Sequence, residues 1–278
     1  MMNSGETRLA GVMGWPVAHS KSPRLHGFWL RQLNVDGAYL PLPVAPEKLF
    51  DAVTGLPALG FRGVNLTIPH KEAIMPLCDQ LDETARRIGA VNTIVVTKDG
   101  ALLGTNTDAY GFIENLCQNS SWTAAAGAAV LLGAGGAARA IAVALSDAGV
   151  RELRIVNRTG ERVQSLIEST AVKNASFVSW DERDQALDGA ALVVNATSMG
   201  MQGNPPLDLN LAALPTTAVV NDIVYTPLQT PLLAAAAARS NPAIDGLGML
   251  LYQAVPGFEA WFGVRPDVTK ELREFVLA

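Results

Sequence analysis

Ala128-Ala129-Val130-Leu131-Leu132-Gly133-Ala134-Gly135-Gly136-Ala137-Ala138 is the stretch whose reading decides the fold. An unbroken apolar run predicts a buried strand over Ala129 to Leu132. A glycine turn follows, then a helical pattern over Ala137 to Ala148 and a second strand over Glu152 to Val156. Together these form a βαβ unit. The glycines fit the pattern G-x-G-x-x-A, which lets backbone amides at a helix N-terminus come close to a pyrophosphate that side chains would hold off. A tight turn with glycines serving packing alone is the plainer alternative, and the strand, turn, helix and strand standing in register weigh against it. Gly133, Ala134, Gly135, Gly136 and Ala137 are therefore candidate contacts to a dinucleotide.

The end of the second strand selects between dinucleotides. An Asp or Glu about 20 residues past the first glycine holds the ribose hydroxyls of NAD. Here the chain reads Val156-Asn157-Arg158-Thr159, with no acid. A carboxylate would repel a 2′-phosphate, whereas Arg158, with Arg162 a helical turn on, can pair with it. Asn157, Arg158, Thr159 and Arg162 thus point to NADP, against the plainer reading of Arg158 as a solvated surface arginine.

Outward from this core, strands over Ala191 to Ala196 and Ala218 to Val224 extend a parallel sheet. Upstream, residues 8 to 123 alternate short apolar runs with amphipathic stretches: Leu9 to Met13, Ser22 to Leu33, Ala38 to Val44, Pro46 to Val53 and Gly63 to Thr67. Ser22-Pro23 reads as a helix start with a capping hydroxyl, Ile68-Pro69 as another, and Val91 to Thr97 as a strand. Gly248 to Phe262 and Thr269 to Leu277 carry helical patterns with no strand between them, so they are expected to return to the first domain. The fold class is α/β in two domains. An α/β substrate-binding domain spans residues 1–108 and 243–278, and a Rossmann-type, doubly wound NADP-binding domain spans 109–242, with the site in the cleft between them.

Composition agrees. At roughly 150 residues per domain, 278 residues allow two cores. The 17% of charged residues and 49% of apolar ones mark a chain that is largely interior. A net charge of −5 argues against a nucleic-acid binder or a polybasic membrane protein. Met1 to Trp15 lacks the pattern of an export signal, no apolar run is long enough to span a bilayer, and the expected location is the cytoplasm. Cys78 and Cys117 stand apart from each other and from His19, His26 and His70, so no metal site is expected.

Outside the nucleotide domain, polar clusters interrupt the apolar segments at strand ends and helix starts. They are Ser20-Lys21-Ser22-Pro23, Asn65-Leu66-Thr67-Ile68-Pro69-His70-Lys71, Asn92-Thr93, Asn106-Thr107-Asp108, and Asp245-Gly246-Leu247-Gly248-Met249-Leu250 with Gln253. In this order, from about Leu9 to Val268, they resemble the shikimate/quinate dehydrogenase family, and NADP-dependent shikimate dehydrogenases within it.

The resemblance implies reversible, NADPH-dependent reduction of 3-dehydroshikimate to shikimate, a step of aromatic amino-acid (chorismate) biosynthesis, by a monomer or homodimer. It implies that Ser20 and Ser22 hold the substrate carboxylate, and that Asn65, Thr67, Asn92, Tyr225 and Gln253 make further substrate contacts. Lys71 and Asp108 match the catalytic pair. Thr197, Ser198 and Met199 match residues above the cofactor, and Ile223, Gly246 and Met249 enclose the nicotinamide.

Plainer readings stand beside these. Ketone reduction needs a proton donor within reach of the oxygen. Lys71 suits that, although most lysines are merely solvated. Its position in the first turn of a helix, where the dipole mildly disfavours a cation, speaks for a further role. Asp108 also fits as a helix cap, Asn65 and Asn92 as turn formers, and Met249 with Gln253 as one packed helix face. Two alternatives remain. One is an NAD-using quinate/shikimate dehydrogenase, whose relatives commonly carry an Asp where this chain has Thr159-Gly160. The other is a noncatalytic NADP-sensing Rossmann protein.

Overall fold

The computed structural model describes residues 4–278. The chain begins β1 (Arg8–Gly14), α1 (Ser22–Gln32), β2 (Gly37–Pro43), α2 (Leu49–Thr54), β3 (Phe61–Leu66), α3 (His70–Ala73), β4 (Gln80–Leu81), α4 (Glu83–Ile88), β5 (Thr93–Val96) and β6 (Leu102–Thr105). It continues α5 (Asp108–Asn119), β7 (Ala128–Leu132), α6 (Gly136–Asp147), β8 (Leu153–Asn157), α7 (Gly160–Thr170), β9 (Ala175–Ser179), β10 (Ala190–Asn195), β11 (Val219–Asp222), α8 (Pro231–Ala238), β12 (Ala243–Ile244), α9 (Leu247–Phe262) and α10 (Lys270–Leu277). These elements form two compact units, Met1–Thr107 with Leu251–Ala278, and Asp108–Leu250; the division falls within α9.

In the second unit the strands lie in the order β12-β11-β10-β7-β8-β9, and every pair is parallel. The chain starts at the central β7, moves out to β9, then returns to build the other half. With right-handed crossovers, that reversal puts helices on both faces and leaves a crevice at the ends of β7 and β10. All five residues of β7 are buried, as expected of a strand covered on both sides. On α6, Ala138 and Ala140 to Leu145 turn inward, so small side chains let the helix lie close to the sheet. The edge strand β9 was not foreseen, because its residues are only partly covered and Phe177 is exposed, leaving little apolar pattern to read.

In the first unit the sheet runs β2-β1-β3-β5-β6-β4 and is mixed: β2, β1 and β3 are parallel, while β5 is antiparallel to both β3 and β6. All of α10 and α9 from Leu251 onward fall in this unit. Trp261 of α9 donates its indole N–H to Ile94 O of β5 at 3.0 Å. Gly63 makes that contact possible, since a Cβ there would lie 2.0 Å from Ile94 O and 2.2 Å from the indole nitrogen. Lys21 and Arg24 donate to the last carbonyls of α10, Val276 O at 2.9 Å and Phe275 O at 2.6 Å, and so satisfy acceptors that a helix end leaves open.

The strand expected over Val91 to Thr97 is shorter. The Val91 N–H is bonded to Lys71 O at 2.8 Å and the Asn92 N–H to Thr105 O at 3.1 Å, so both residues form a connecting loop ahead of β5.

His26 lies wholly buried, stacked on Tyr39 at 3.9 Å with ring planes 5° apart and flanked by Trp29 and Phe258. Among the described residues neither ring nitrogen has a hydrogen-bond partner. Burial pushes the imidazole down to about 3, and the nearby Asn65 side chain opposes that shift only in part. The unfolded chain takes up this proton near pH ~6.5, and the folded chain refuses it until about 3. Stability is therefore complete above the unfolded value and declines on acidification at ~1.4 kcal/mol per pH unit. Denaturant unfolding at about pH 7 and about pH 5 checks this: His26→Phe should lose ~2 kcal/mol less than the parent between the two. Equal losses would contradict it.

Candidate active site

Most expected substrate contacts of the first unit sit at a strand end or near the start of a helix; Gln253 lies within α9. Ser20 and Ser22 follow β1 at the head of α1. Lys21 occupies the cap position with helical backbone and no side-chain cap, and Ser22 is the first helical residue. The expected cap by Ser22 is thus corrected: Ser20 Oγ accepts the Ser22 N–H at 3.3 Å, a long contact. This leaves the Ser22 hydroxyl, on a buried residue, facing the Tyr39 phenol. Burial holds that phenol protonated, with a pKa well above its ordinary value.

Tyr39 donates to Asn65 Oδ1 at 2.6 Å, and Asn65 Nδ2 donates to Asn92 O at 3.2 Å and Thr93 Oγ at 3.0 Å. Both N–H groups of Asn65 are thereby engaged by protein, so only an acceptor lone pair on Oδ1 is left to meet a ligand.

Asn92 is the centre of a second network. Its Oδ1 accepts from Thr93 Oγ at 2.9 Å and from the Thr107 N–H at 2.9 Å, and its Nδ2 donates to Thr107 Oγ at 3.0 Å. Gln253 Oε1 from α9 lies at the rim, 3.4 Å from Asn92 Nδ2 and 3.5 Å from Thr107 Oγ. Thr67 closes β3, its N–H bonded to Met13 O at 2.9 Å. Lys71, in the short α3, is half-buried, and its carbonyl holds the loop that delivers Asn92. Ser20, Ser22, Asn65, Thr67, Lys71, Asn92 and Gln253 therefore share one unit, supported by Thr93 and Thr107 of the polar clusters and by Tyr39, which the sequence reading did not select.

In the second unit Asp108 is the first residue of α5, where the helix dipole favours a carboxylate. Gly133 leaves β7 with φ +106°, and a Cβ there would press on Thr197 and Ala196. Gly135 stands at the cap position of α6 with no side-chain cap, and a Cβ on Gly135 or Gly136 would meet nothing within 4 Å. Uncapped amides facing open space at the head of a 12-residue helix fit a pyrophosphate, with Ala134 and Ala137 flanking it.

Beyond β8, Asn157 Nδ2 donates to Thr159 O at 2.9 Å and folds the loop back on itself. Arg158 and Arg162 are exposed, and among the described residues neither guanidinium has a protein partner, which fits a 2′-phosphate.

The residues expected around the nicotinamide lie on linked loops. Thr197 donates its N–H and hydroxyl to Asn195 Oδ1 at 3.0 and 2.7 Å, and Thr197 Oγ accepts the Met199 N–H at 3.1 Å, while Ser198 is exposed. The Ile223 N–H is bonded to Asn195 O at 3.1 Å. Gly246 is packed so tightly on Ile223 that a Cβ would lie 2.0 Å from its carbonyl oxygen. Met249 is half-buried in α9. Tyr225 is half-buried and its phenol pKa is raised by that burial; among the described residues it has no hydrogen-bond partner. Asn195 and Asp222 escaped the sequence reading, since a buried Asn and Asp at strand ends carry no local pattern.

Three family profiles match in succession: the shikimate dehydrogenase substrate binding domain over residues 12–94, shikimate / quinate 5-dehydrogenase over residues 116–202, and the shikimate 5′-dehydrogenase C-terminal domain over residues 246–270. The chain is 62% identical over 276 residues to the shikimate dehydrogenase (NADP(+)) of Paramagnetospirillum magneticum, covering 99% of this chain and 100% of that one. The chain belongs to the shikimate dehydrogenase family.

Solved structures of that family agree in fold. Shikimate 5-dehydrogenase from Thermus thermophilus in complex with NADP(H) and shikimate is 36% identical, with a TM-score of 0.86 and coverage of 98% of this chain and 99% of that one. Quinate dehydrogenase from Corynebacterium glutamicum in complex with NAD is 31% identical, with a TM-score of 0.90 and coverage of 98% and 99%. The α/β, two-unit architecture with a Rossmann-type sheet is thus that of shikimate dehydrogenases. Among the described residues no helix is long and apolar enough to cross a membrane.

Proposed function

We propose that Lys71 and Asp108 form the acid–base pair of an NADP-dependent shikimate dehydrogenase that reduces 3-dehydroshikimate to shikimate. The observation that carries the activity is 62% identity along 99% of the chain to a shikimate dehydrogenase (NADP(+)). The absence of an acid from Asn157 to Thr159, with two unpartnered arginines beside the loop, supports NADP over the NAD of the quinate dehydrogenase.

The balanced reaction takes NADPH, a proton and the ketone to NADP and the secondary alcohol. Bound NADPH supplies the hydride from C4 of its nicotinamide. Lys71 donates a proton from its ammonium to the ketone oxygen as negative charge gathers there, and the resulting amine recovers a proton from solvent. Asp108 keeps that ammonium oriented and accepts a hydrogen bond from a substrate hydroxyl. Ser20 and Ser22 donate hydroxyls to the substrate carboxylate, and Asn65, Thr67, Asn92, Tyr225 and Gln253 orient the ring. Gly133 to Ala137 hold the pyrophosphate; Asn157, Arg158, Thr159 and Arg162 hold the adenosine phosphate. Thr197 to Met199, Ile223, Gly246 and Met249 wall the nicotinamide. In this reading the substrate-binding domain spans residues 1–108 with 243–278 and the NADP-binding domain 109–242, with Tyr225, Gly246 and Met249 contributed across that division. The protein works in the cytoplasm as a monomer or homodimer, with no nucleic-acid or membrane partner.

Single-turnover oxidation of NADPH on adding 3-dehydroshikimate tests the activity: loss of NADPH absorbance in step with shikimate formed supports it. NADPH binding without turnover would favour the sensing alternative. For the carboxylate contacts, Ser20→Ala and Ser22→Ala should each raise KM for shikimate about tenfold or more, because a hydrogen bond to a charged group contributes ~1.5–3 kcal/mol. KM for NADP should stay nearly unchanged. Unaltered shikimate KM in both would remove the serines from the site.

A further inference from the structure

Asp222 takes no part in the steps above, yet its carboxylate is wholly buried at the end of β11. A buried charge is costly and is kept where its hydrogen bonds do something an apolar residue cannot. Oδ1 accepts from Asn195 Nδ2 at 2.9 Å and from the Val224 N–H at 3.1 Å, and Oδ2 accepts from Thr230 Oγ at 2.7 Å. Each donor stands at the root of a different segment. Thr230 caps α8 through the Leu233 N–H at 3.3 Å. Val224 follows Ile223, and its carbonyl receives the Gly246 N–H at 3.3 Å.

The Asn195 contact is the informative one. An amide can present oxygen or nitrogen to either side, and a carboxylate, which only accepts, forces its Nδ2 toward Asp222. Asn195 Oδ1 is thereby turned to Thr197, where it takes both the N–H and the hydroxyl, and Nδ2 reaches Met199 O at 3.1 Å. Asp222 thus joins the Thr197 N–H and Met199 O in fixing the orientation of an amide that shapes the Thr197–Met199 loop, and it also holds the turn that carries Ile223.

We propose that Asp222 is a positioning residue for hydride transfer, acting through Asn195 and Val224 to hold the Thr197–Met199 and Ile223–Tyr225 segments in one arrangement. This rests on the reading that Thr197, Met199, Ile223 and Gly246 wall the nicotinamide. It goes beyond that reading in naming what fixes the wall.

The test uses the full chain. Asp222→Asn preserves size but places an N–H pair where a carboxylate oxygen stood. Stopped-flow oxidation of NADPH and of 4-deuterated NADPH by 3-dehydroshikimate reads the hydride step, and binding of 2′,5′-ADP reads the adenosine end alone. The hydride step should slow about tenfold or more, since small misplacement of reacting groups is enough for that, while 2′,5′-ADP affinity stays within about twofold. A merely structural role would lower thermal stability and leave the hydride step and its isotope effect unchanged.

Hydride transfer within about twofold of wild type in a folded Asp222→Asn overturns the proposal. Ile223→Ala separates the two levels. If it slows hydride transfer and Asp222→Asn does not, the proposal fails and the wall stands; if neither does, both fail.

Discussion

Lys71→Ala should fold, bind NADP and shikimate, and lose roughly 10²- to 10⁴-fold in kcat, the range for a positioned acid–base group. Stability is expected to survive because Lys71 O accepts the Val91 N–H, a backbone contact that truncating the side chain leaves in place. The loss should therefore appear in the chemical step and not in assembly of the ternary complex. Asp108→Asn should lower kcat as well. If the two act as one unit, the double variant should be little worse than the worse single, because removing one partner already disables the other. Multiplicative losses would show two independent contributions, and near-normal kcat in Lys71→Ala would defeat the assignment.

The second large effect concerns the cofactor. Wild type should favour NADP over NAD in kcat/KM by about tenfold or more, a difference of ~1.4 kcal/mol, and Arg158→Ala should erase most of that preference by weakening NADP alone. The loop itself is held by Asn157 Nδ2 on Thr159 O, and exposed Arg158 makes no hydrogen bond or ion pair among the described residues, so truncation should not disturb the fold. Kinetics with both cofactors at saturating shikimate measure this. Parallel losses for NAD and NADP would show that Arg158 serves the loop and not the phosphate.

How much was legible follows from where pattern lives in a sequence. The β7-turn-α6 unit was clear because a fully buried strand is an unbroken apolar run and the turn needs glycine at Gly133. The return of the last helices to the first unit was inferable from helices without a strand to follow. The edge strand β9 was not, because a half-covered strand has no strong alternation. Ser22 read as a cap because Ser-Pro begins many helices. In the fold the cap position passed to Lys21, whose ammonium reaches α10, a contact between residues 255 positions apart that no local pattern encodes. The same limit hid Tyr39, Asn195 and Asp222. Each is a single polar residue at a strand or strand end, and it gains meaning only from partners far along the chain.

The measurement that bears most directly on the whole account is a steady-state matrix of shikimate and quinate against NADP and NAD with the wild-type protein. Shikimate with NADP should give the highest kcat/KM of the four, by about tenfold or more over either single exchange. Quinate with NAD turning over as efficiently as shikimate with NADP would contradict it.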